Sequence, residues 1–278
     1  MQENKKPAVF YAACDQNNFQ YAIPFWRSMT KFHSPKDIDM ILYTNEKRPE
    51  ILKRLPEGIK VVDLTPYLKD PAFFYRQKPI LAEPLLDEYE LAVGFDVDQL
   101  VLNDLSYVIE RKDYDVATVI NYNRVDPQVY GHVDLMRIGI APIEYFNCGL
   151  VALRSKKFAH HWKVLCFSEQ FNRVQYREQD ILNVLCYYGN YNVVCLDHGD
   201  GVNNYNSWHG LIAKGELSRS ELRGKDIVIP KGLGDQPFPP EDMTLRVIHL
   251  GGGAGAKKDN WGAFFPPEVM EKINELIK

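Results

Sequence analysis

The residues best placed to do chemistry lie between 89 and 105, in YELAVGFDVDQLVLNDL. Two carboxylates, Asp96 and Asp98, are separated by Val97. Apolar residues flank them, with Leu91, Ala92, Val93 and Phe95 before and Leu100, Val101 and Leu102 after. The leading run reads as a strand buried on both faces. In a strand, residues i and i+2 point to one side, so the two carboxylates are expected to face together. Paired anions at the mouth of a buried sheet are costly unless a cation sits between them. A divalent ion held by hard oxygens meets that need, and its usual companion is a substrate phosphate. The competing reading is a solvated turn after a strand, where aspartate is common anyway. An EF-hand loop is excluded, because its ligand run and its glycine are missing.

The surrounding elements must bring this pair to a ligand. Residues 8–13 read as a strand ending at Cys14-Asp15, followed by a helix over 21–32 with Ile23, Trp26 and Met29 about three apart. Strands at 38–43 and 59–64 enclose a short helix at 49–55, a rhythm that predicts a mostly parallel sheet with helices on both faces. In such sheets ligands lie beyond the carboxyl ends of the strands, where Asp15 and the Asp96/Asp98 pair both fall. Residues 76–88 read as helical, with Pro79 suited to a first turn and Pro84 arguing against one continuous helix. A short helix at 104–110 and a strand at 115–120 follow. The stretch 121–145 is polar, aromatic-rich and aperiodic, the signature of a functional or mobile loop. Beyond it come a strand at 148–153, a helix at 156–168, a helix carrying Ile181, Leu182, Val184 and Leu185, and a strand at 191–196. Residues 197–244 are rich in Gly, Asn, Pro and charge, with one strand-like patch, DIVIP. The chain closes with a strand (LRVIHL), a Gly-rich loop (GGGAGAKKDNW) and an amphipathic helix whose Val269, Met270, Ile273 and Leu276 share a face.

The 278 residues, 45% of them hydrophobic, suit one large α/β domain over 1–278, with no internal repeat or linker to divide it. A formal charge of −4 argues against nucleic-acid binding. The five cysteines are odd in number and lack metal-type spacing, so reduced thiols in a cytoplasmic protein are expected. No signal peptide or membrane-length apolar run is apparent. A homodimer is compatible with the sequence.

Taken in order, YAACD, Lys78, FDVD, FNCG, EQDILN and HLGGGAGAKKDNW resemble the nucleotide-sugar-dependent glycosyltransferases of the GT-A fold. Among these the succession is most similar to glycosyltransferase family 8, which includes glycogenins and bacterial lipopolysaccharide glucosyl- and galactosyltransferases. The resemblance spans about residues 8 to 262. It implies a Rossmann-like mixed sheet, mostly parallel and flanked by helices, a UDP-glucose or UDP-galactose donor, a carbohydrate-type acceptor, and Mn²⁺ or Mg²⁺ as cofactor. Asp96 and Asp98 match the metal pair and His249 the third protein ligand, a set suited to Mn²⁺ with diphosphate oxygens completing the shell. Ala13 and Asp15 match the positions that hold the uracil and ribose, and Lys78 a basic donor contact. Asn147 and Gly149 match the motif lining the sugar pocket, with Cys148 in place of a smaller residue. Glu178, Gln179 and Asp180 match the segment near the donor sugar and the reacting face. Gly252 and its neighbours would admit the diphosphate, which Lys257 or Lys258 would neutralise. The family usually has Gly-x-x-Lys-Pro-Trp where this chain reads Gly255 to Trp261, so both lysines stay open. The resemblance also implies retention of anomeric configuration.

Two rivals have distinguishable signatures. Sugar nucleotidyltransferases generally carry an early Gly-rich loop, and residues 11–28 contain no glycine. A non-catalytic nucleotide-sugar-binding module would keep the pocket without turnover. Serine-hydrolase chemistry lacks its Gly-x-Ser-x-Gly signature.

Overall fold

A computed structural model describes residues 5–120, 145–174, 176–196, 204–206, 217–232, 242–249 and 265–278. In chain order the elements are β1 (Val9–Cys14), α1 (Phe19–Phe32), β2 (Asp39–Thr44), α2 (Pro49–Leu52), β3 (Lys60–Asp63), α3 (Gln77–Glu88), β4 (Ala92–Phe95), β5 (Gln99–Val101), α4 (Ser106–Glu110), β6 (Val116–Ile120) and β7 (Phe146–Leu153). They continue with α5 (Lys156–Cys166), α6 (Gln170–Arg173), α7 (Arg177–Tyr188), β8 (Val193–Cys195), β9 (Asn204–Asn206), β10 (Glu221–Arg223), β11 (Asp226–Ile229), β12 (Met243–Thr244), β13 (Val247–His249) and α8 (Pro267–Ile277).

Seven strands form the central sheet in the order β3-β2-β1-β4-β7-β6-β8. Pairing is parallel except on the two sides of β7, which runs antiparallel to both β4 and β6. Its inner strands β1, β2, β4 and β7 are buried on both faces, so they read as nearly unbroken apolar runs rather than alternating ones. Phe10, Ala12, Val93, Phe95, Leu150 and Ala152 pack on one side under α1, whose Ala22, Phe25, Trp26 and Met29 are buried there. Val9, Tyr11, Ala92, Val151 and Leu153 face the other side, covered by α3, α5 and α7 through Leu81, Leu85, Phe158, Trp162, Ile181 and Leu182. Burying each of these large side chains contributes about 1.5–3 kcal/mol relative to exposure.

Two features depart from the sequence reading. Helix α3 is continuous from Gln77 to Glu88 with Pro84 inside it. Its buried face (Lys78, Leu81, Ala82, Leu85, Leu86) packs on the sheet, and that burial offsets the missing hydrogen bond at the proline. The second departure concerns the carboxylate pair. Strand β4 stops at Phe95, and residues 96–98 form the turn that carries the chain out of the central sheet into β5. Strand β5 belongs to a separate three-stranded sheet, β5-β13-β9. The two aspartates therefore converge through a turn between sheets and not through strand alternation.

Leu100, Ile248, Ile227, Ile229 and Leu245 share a third core with Val269, Ile273 and Leu276 of α8. The spacing of those three α8 residues is the i, i+4, i+7 pattern of a helix docked on one face. None of the five cysteines is in a disulfide among the described residues. Among the described residues no helix is long and apolar enough to cross a membrane.

Candidate active site

The carboxyl ends of β1 and β4 lie side by side, since Ala12 is in register with Phe95. Ala13 and Asp15 thus reach the same edge as Asp96. Asp15 accepts from the backbone N–H and the side-chain amide of Asn18 at 2.8 and 2.9 Å, closing the turn into α1. Asp96 donates its backbone N–H to Gly149 O at 2.9 Å, which ties the turn after β4 to the FNCG segment of β7.

His249 arrives from the other sheet. It ends β13, in register with Gln99, the residue that follows Asp98. Its Nε2 lies 3.2 Å from Asp98 Oδ1 and 3.5 Å from Asp96 Oδ2. One ligand atom from each of the three residues falls within 4.8 Å of the other two. Burial pushes the Asp98 carboxyl up, but the adjacent imidazole outweighs it and holds the carboxyl below its usual value. The reverse holds for His249: burial pushes it down, and Asp98 and Asp96 more than offset that, leaving it raised. A protonated His249 sets one positive charge against two carboxylates. Two hard oxygens and an imidazole nitrogen converging on one point, short of positive charge, fit a divalent cation of the Mn²⁺ or Mg²⁺ type.

Lys78 is the second source of positive charge. Its side chain is 5% exposed and its ammonium is ion-paired with Asp96. Burial lowers its pKa, and the Asp96 carboxylate reverses the sign, so it stays charged. A solvated lysine at a helix start is thereby excluded. Tyr11 donates its hydroxyl to Lys78 O at 3.0 Å, fixing the first turn of α3 against β1. Gly94 makes room for that tyrosine, because a Cβ there would meet the Tyr11 hydroxyl at 2.6 Å.

Helix α7 brings Glu178 and Gln179 to the same edge. Gln179 Oε1 accepts from Cys148 N at 3.2 Å, and the Cys148 thiol lies 3.6 Å from Glu178 Oε1. Glu178 Oε2 is buried with no hydrogen-bond partner among the described residues. Burial pushes the Glu178 carboxyl up to about 8, with Lys78 pulling the other way and Asp96 adding to the rise. It is therefore a neutral acid at pH 7. Asp180 behaves differently: fully buried, it accepts from Tyr145 Oη and from Tyr176 N, the latter at 2.8 Å, and anchors α7 instead of joining the cluster.

Sequence reasoning missed the residues that hold the segment in place. Asn183 accepts from Phe146 N at 2.7 Å and donates to Phe146 O and Gln179 O at 2.9 and 2.8 Å, clamping α7 to β7. Trp162 Nε1 donates to Glu178 O at 3.0 Å. The EQDILN motif contained this asparagine, four residues after Gln179, and that helical spacing was the available signal. The candidate donor-loop residues Gly252, Lys257 and Lys258 lie outside the described residues, as do residues 121–144 of the aromatic-rich stretch.

The central mixed sheet, its helices and the small second sheet define the GT-A class of fold, which solved glycosyltransferases share. The galactosyltransferase LgtC, solved with donor and acceptor sugar analogues, is 19% identical with a TM-score of 0.59, over 97% of this chain and 95% of that one. WbbM, a bifunctional glycosyltransferase solved without ligand, is 14% identical with a TM-score of 0.56, over 99% of this chain and 50% of that one. GlyE from Streptococcus pneumoniae TIGR4 is 15% identical with a TM-score of 0.53, over 99% of this chain and 60% of that one. At these identities the likeness is one of fold. No protein-family model and no curated protein matches the sequence.

Proposed function

We propose that the protein is a cation-dependent hexosyltransferase, moving a hexose from UDP-glucose or UDP-galactose to a carbohydrate-type acceptor with retention. One observation carries the reading: Asp96, Asp98 and His249, brought from two different sheets, meet within 4.8 Å at the carboxyl edge of a GT-A sheet. Asp96, Asp98 and His249 would hold Mn²⁺ or Mg²⁺. When bound, the ion supplies charge stabilisation to the departing diphosphate.

The remaining roles fall to this chain's side chains. Ala13 and Asp15 stand where the nucleoside would lie against the end of β1. Lys78, held by Asp96, contributes a fixed positive charge beside the ion site without occupying it. Glu178, neutral at pH 7, presents a carboxylic proton as a hydrogen-bond donor to a sugar oxygen. Gln179 offers an amide oxygen on the same edge, able to face positive charge that builds on the sugar ring, and Asn147 lines the sugar pocket beside it. Gly252 with Lys257 or Lys258 would close over the diphosphate. We read the chain as one domain, with 197–244 flanking the acceptor side. Five cysteines without a disulfide fit a reducing compartment, and we assign the cytoplasm.

The test is calorimetry of UDP binding with and without Mn²⁺, on the parent protein and Asp98→Ala. Mn²⁺-dependent binding that the substitution abolishes is expected. Equal UDP binding in all four conditions would overturn the cation reading. Mn²⁺-dependent UDP binding with no turnover of any UDP-hexose would instead identify a non-catalytic module.

A further inference from the structure

Gly149 sits in β7, a strand buried along its whole length. Its backbone is not in the left-handed region, which Gly58 and Gly224 occupy. The usual conformational reason for a glycine is therefore absent, and its missing side chain is what matters. A Cβ at this position would lie 2.5 Å from both Cε1 and Nδ1 of His249, and 2.7 Å from Asn147 Oδ1. Both distances to the imidazole are far below van der Waals contact. The ring of His249 occupies the volume that any other residue at 149 would fill.

The second observation concerns the ring's far nitrogen. His249 Nε2 faces the two aspartates, while Nδ1 is buried with no hydrogen-bond partner among the described residues. A histidine that ligates through Nε2 must carry its proton on Nδ1, and that N–H needs an acceptor. Asn147 Oδ1 borders the same empty Cβ position as that nitrogen. The Gly149 N–H donates to that oxygen at 2.6 Å, which turns the oxygen end of the amide, not its NH₂ end, toward the ring.

We infer that Asn147 and Gly149 are positioning residues for the cation site: Gly149 leaves the space in which His249 reaches the ion, and Asn147 Oδ1 accepts the hydrogen bond from Nδ1–H that fixes its ligating tautomer. This rests on the cation reading above and gives FNCG a role besides lining the sugar pocket. The third residue of the pattern, Cys148, points to the other side, toward Glu178.

The test uses the full chain and Mn²⁺ alone, without nucleotide, reading free Mn²⁺ by electron paramagnetic resonance. Gly149→Ala, His249→Ala and the double variant are compared, with circular dichroism and thermal melts to verify folding. Disturbing a ligand's support typically weakens metal affinity about 10- to 100-fold. A loss of that size is expected for Gly149→Ala, with no further loss when it is added to His249→Ala. Parent-like Mn²⁺ affinity in His249→Ala would remove the cation reading and this inference with it. Weakened binding in His249→Ala but parent-like binding in Gly149→Ala overturns the inference alone, as do losses that multiply in the double variant. If Gly149→Ala does not fold, Asn147→Ala carries the test: weaker Mn²⁺ binding that disappears as an effect in the His249→Ala background supports the inference, and unchanged affinity overturns it.

Discussion

Replacing Glu178 with glutamine is expected to stabilise the protein, by an amount that grows with pH. The Glu178 carboxyl is enclosed among Cys148, Lys78 and Asp96, with Oε2 unpartnered among the described residues and its pKa pushed to about 8 by burial. An acid whose pKa is raised on folding holds its proton more tightly in the native state than in the unfolded chain. Its contribution to stability is fully present below the unfolded value of 4.5 and is lost as pH rises toward the native value of about 8, beyond which the loss is complete. At about 1.4 kcal/mol per pKa unit, the loss is about 1 kcal/mol at pH ~5, about 3 at pH ~7 and about 5 at pH ~9, each an upper bound because water entering the site would lessen it. Glutamine matches the neutral acid in shape and does not titrate. The variant's advantage in urea unfolding should therefore be small near pH ~5 and widen by about 2 kcal/mol near pH ~7. A difference that stays constant across this range would refute the buried neutral acid. In function, the parent's donor binding should weaken as pH passes about 8, and Glu178→Gln should remove that alkaline limb.

Three further outcomes follow from the same contacts. Lys78→Met leaves Asp96 without its buried partner and should cost about 3 kcal/mol, near the low end for a broken buried pair because Asp96 is 27% exposed. Thermal melts read it, and added Mn²⁺ should recover more stability in the variant than it adds to the parent. Asn183→Leu removes the three hydrogen bonds between α7 and Phe146 or Gln179 and should destabilise by roughly 2–4 kcal/mol in chemical denaturation; a cost below about 1 kcal/mol would show that the clamp is not needed. Gly94→Ala should cost about 1–3 kcal/mol through its clash with the Tyr11 hydroxyl, and Tyr11→Phe should relieve part of it in a double-mutant cycle. Additive costs would mean the crowding lies elsewhere.

The long, doubly buried strands were legible because their apolar runs are continuous: YAAC, the ILYT of β2 and the AVGF of β4 lie close to where they were read. The apolar face of α8 was legible for a related reason, since Val269, Ile273 and Leu276 repeat at helical spacing. The candidate carboxylate pair also showed in the sequence, as an Asp-x-Asp embedded between apolar segments. What could not be read was how those residues come together. Strands β5 and β13 have three residues each, too few for a period to show, and they pair across almost 150 positions of chain. Pro84 misled because propensity counts the lost bond but not the sheet that α3 packs against. Asp180 could not be told from Glu178 by its neighbours in sequence. Successive residues of a helix point in different directions, so one carboxyl meets Tyr145 inside the core and the other reaches the site edge.

The position of His249 follows from packing on the far side of its own strand. In the β5–β13 pair, Leu100 is opposite Ile248, and both side chains enter the third core beside α8. His249, paired with Gln99 in register, consequently turns to the opposite face, toward the two aspartates. A slip of one residue would take Leu100 or Ile248 out of the third core and turn His249 away from Asp98, so the apolar pair enforces the alignment of the Asp-Asp-His trio. Asp98 and Gln99 are adjacent in the chain, which leaves little slack between the turn that carries the carboxylates and the strand that receives the imidazole. The ligand geometry is thus set by hydrophobic burial that never touches the site, and a cation would find its three protein ligands already assembled.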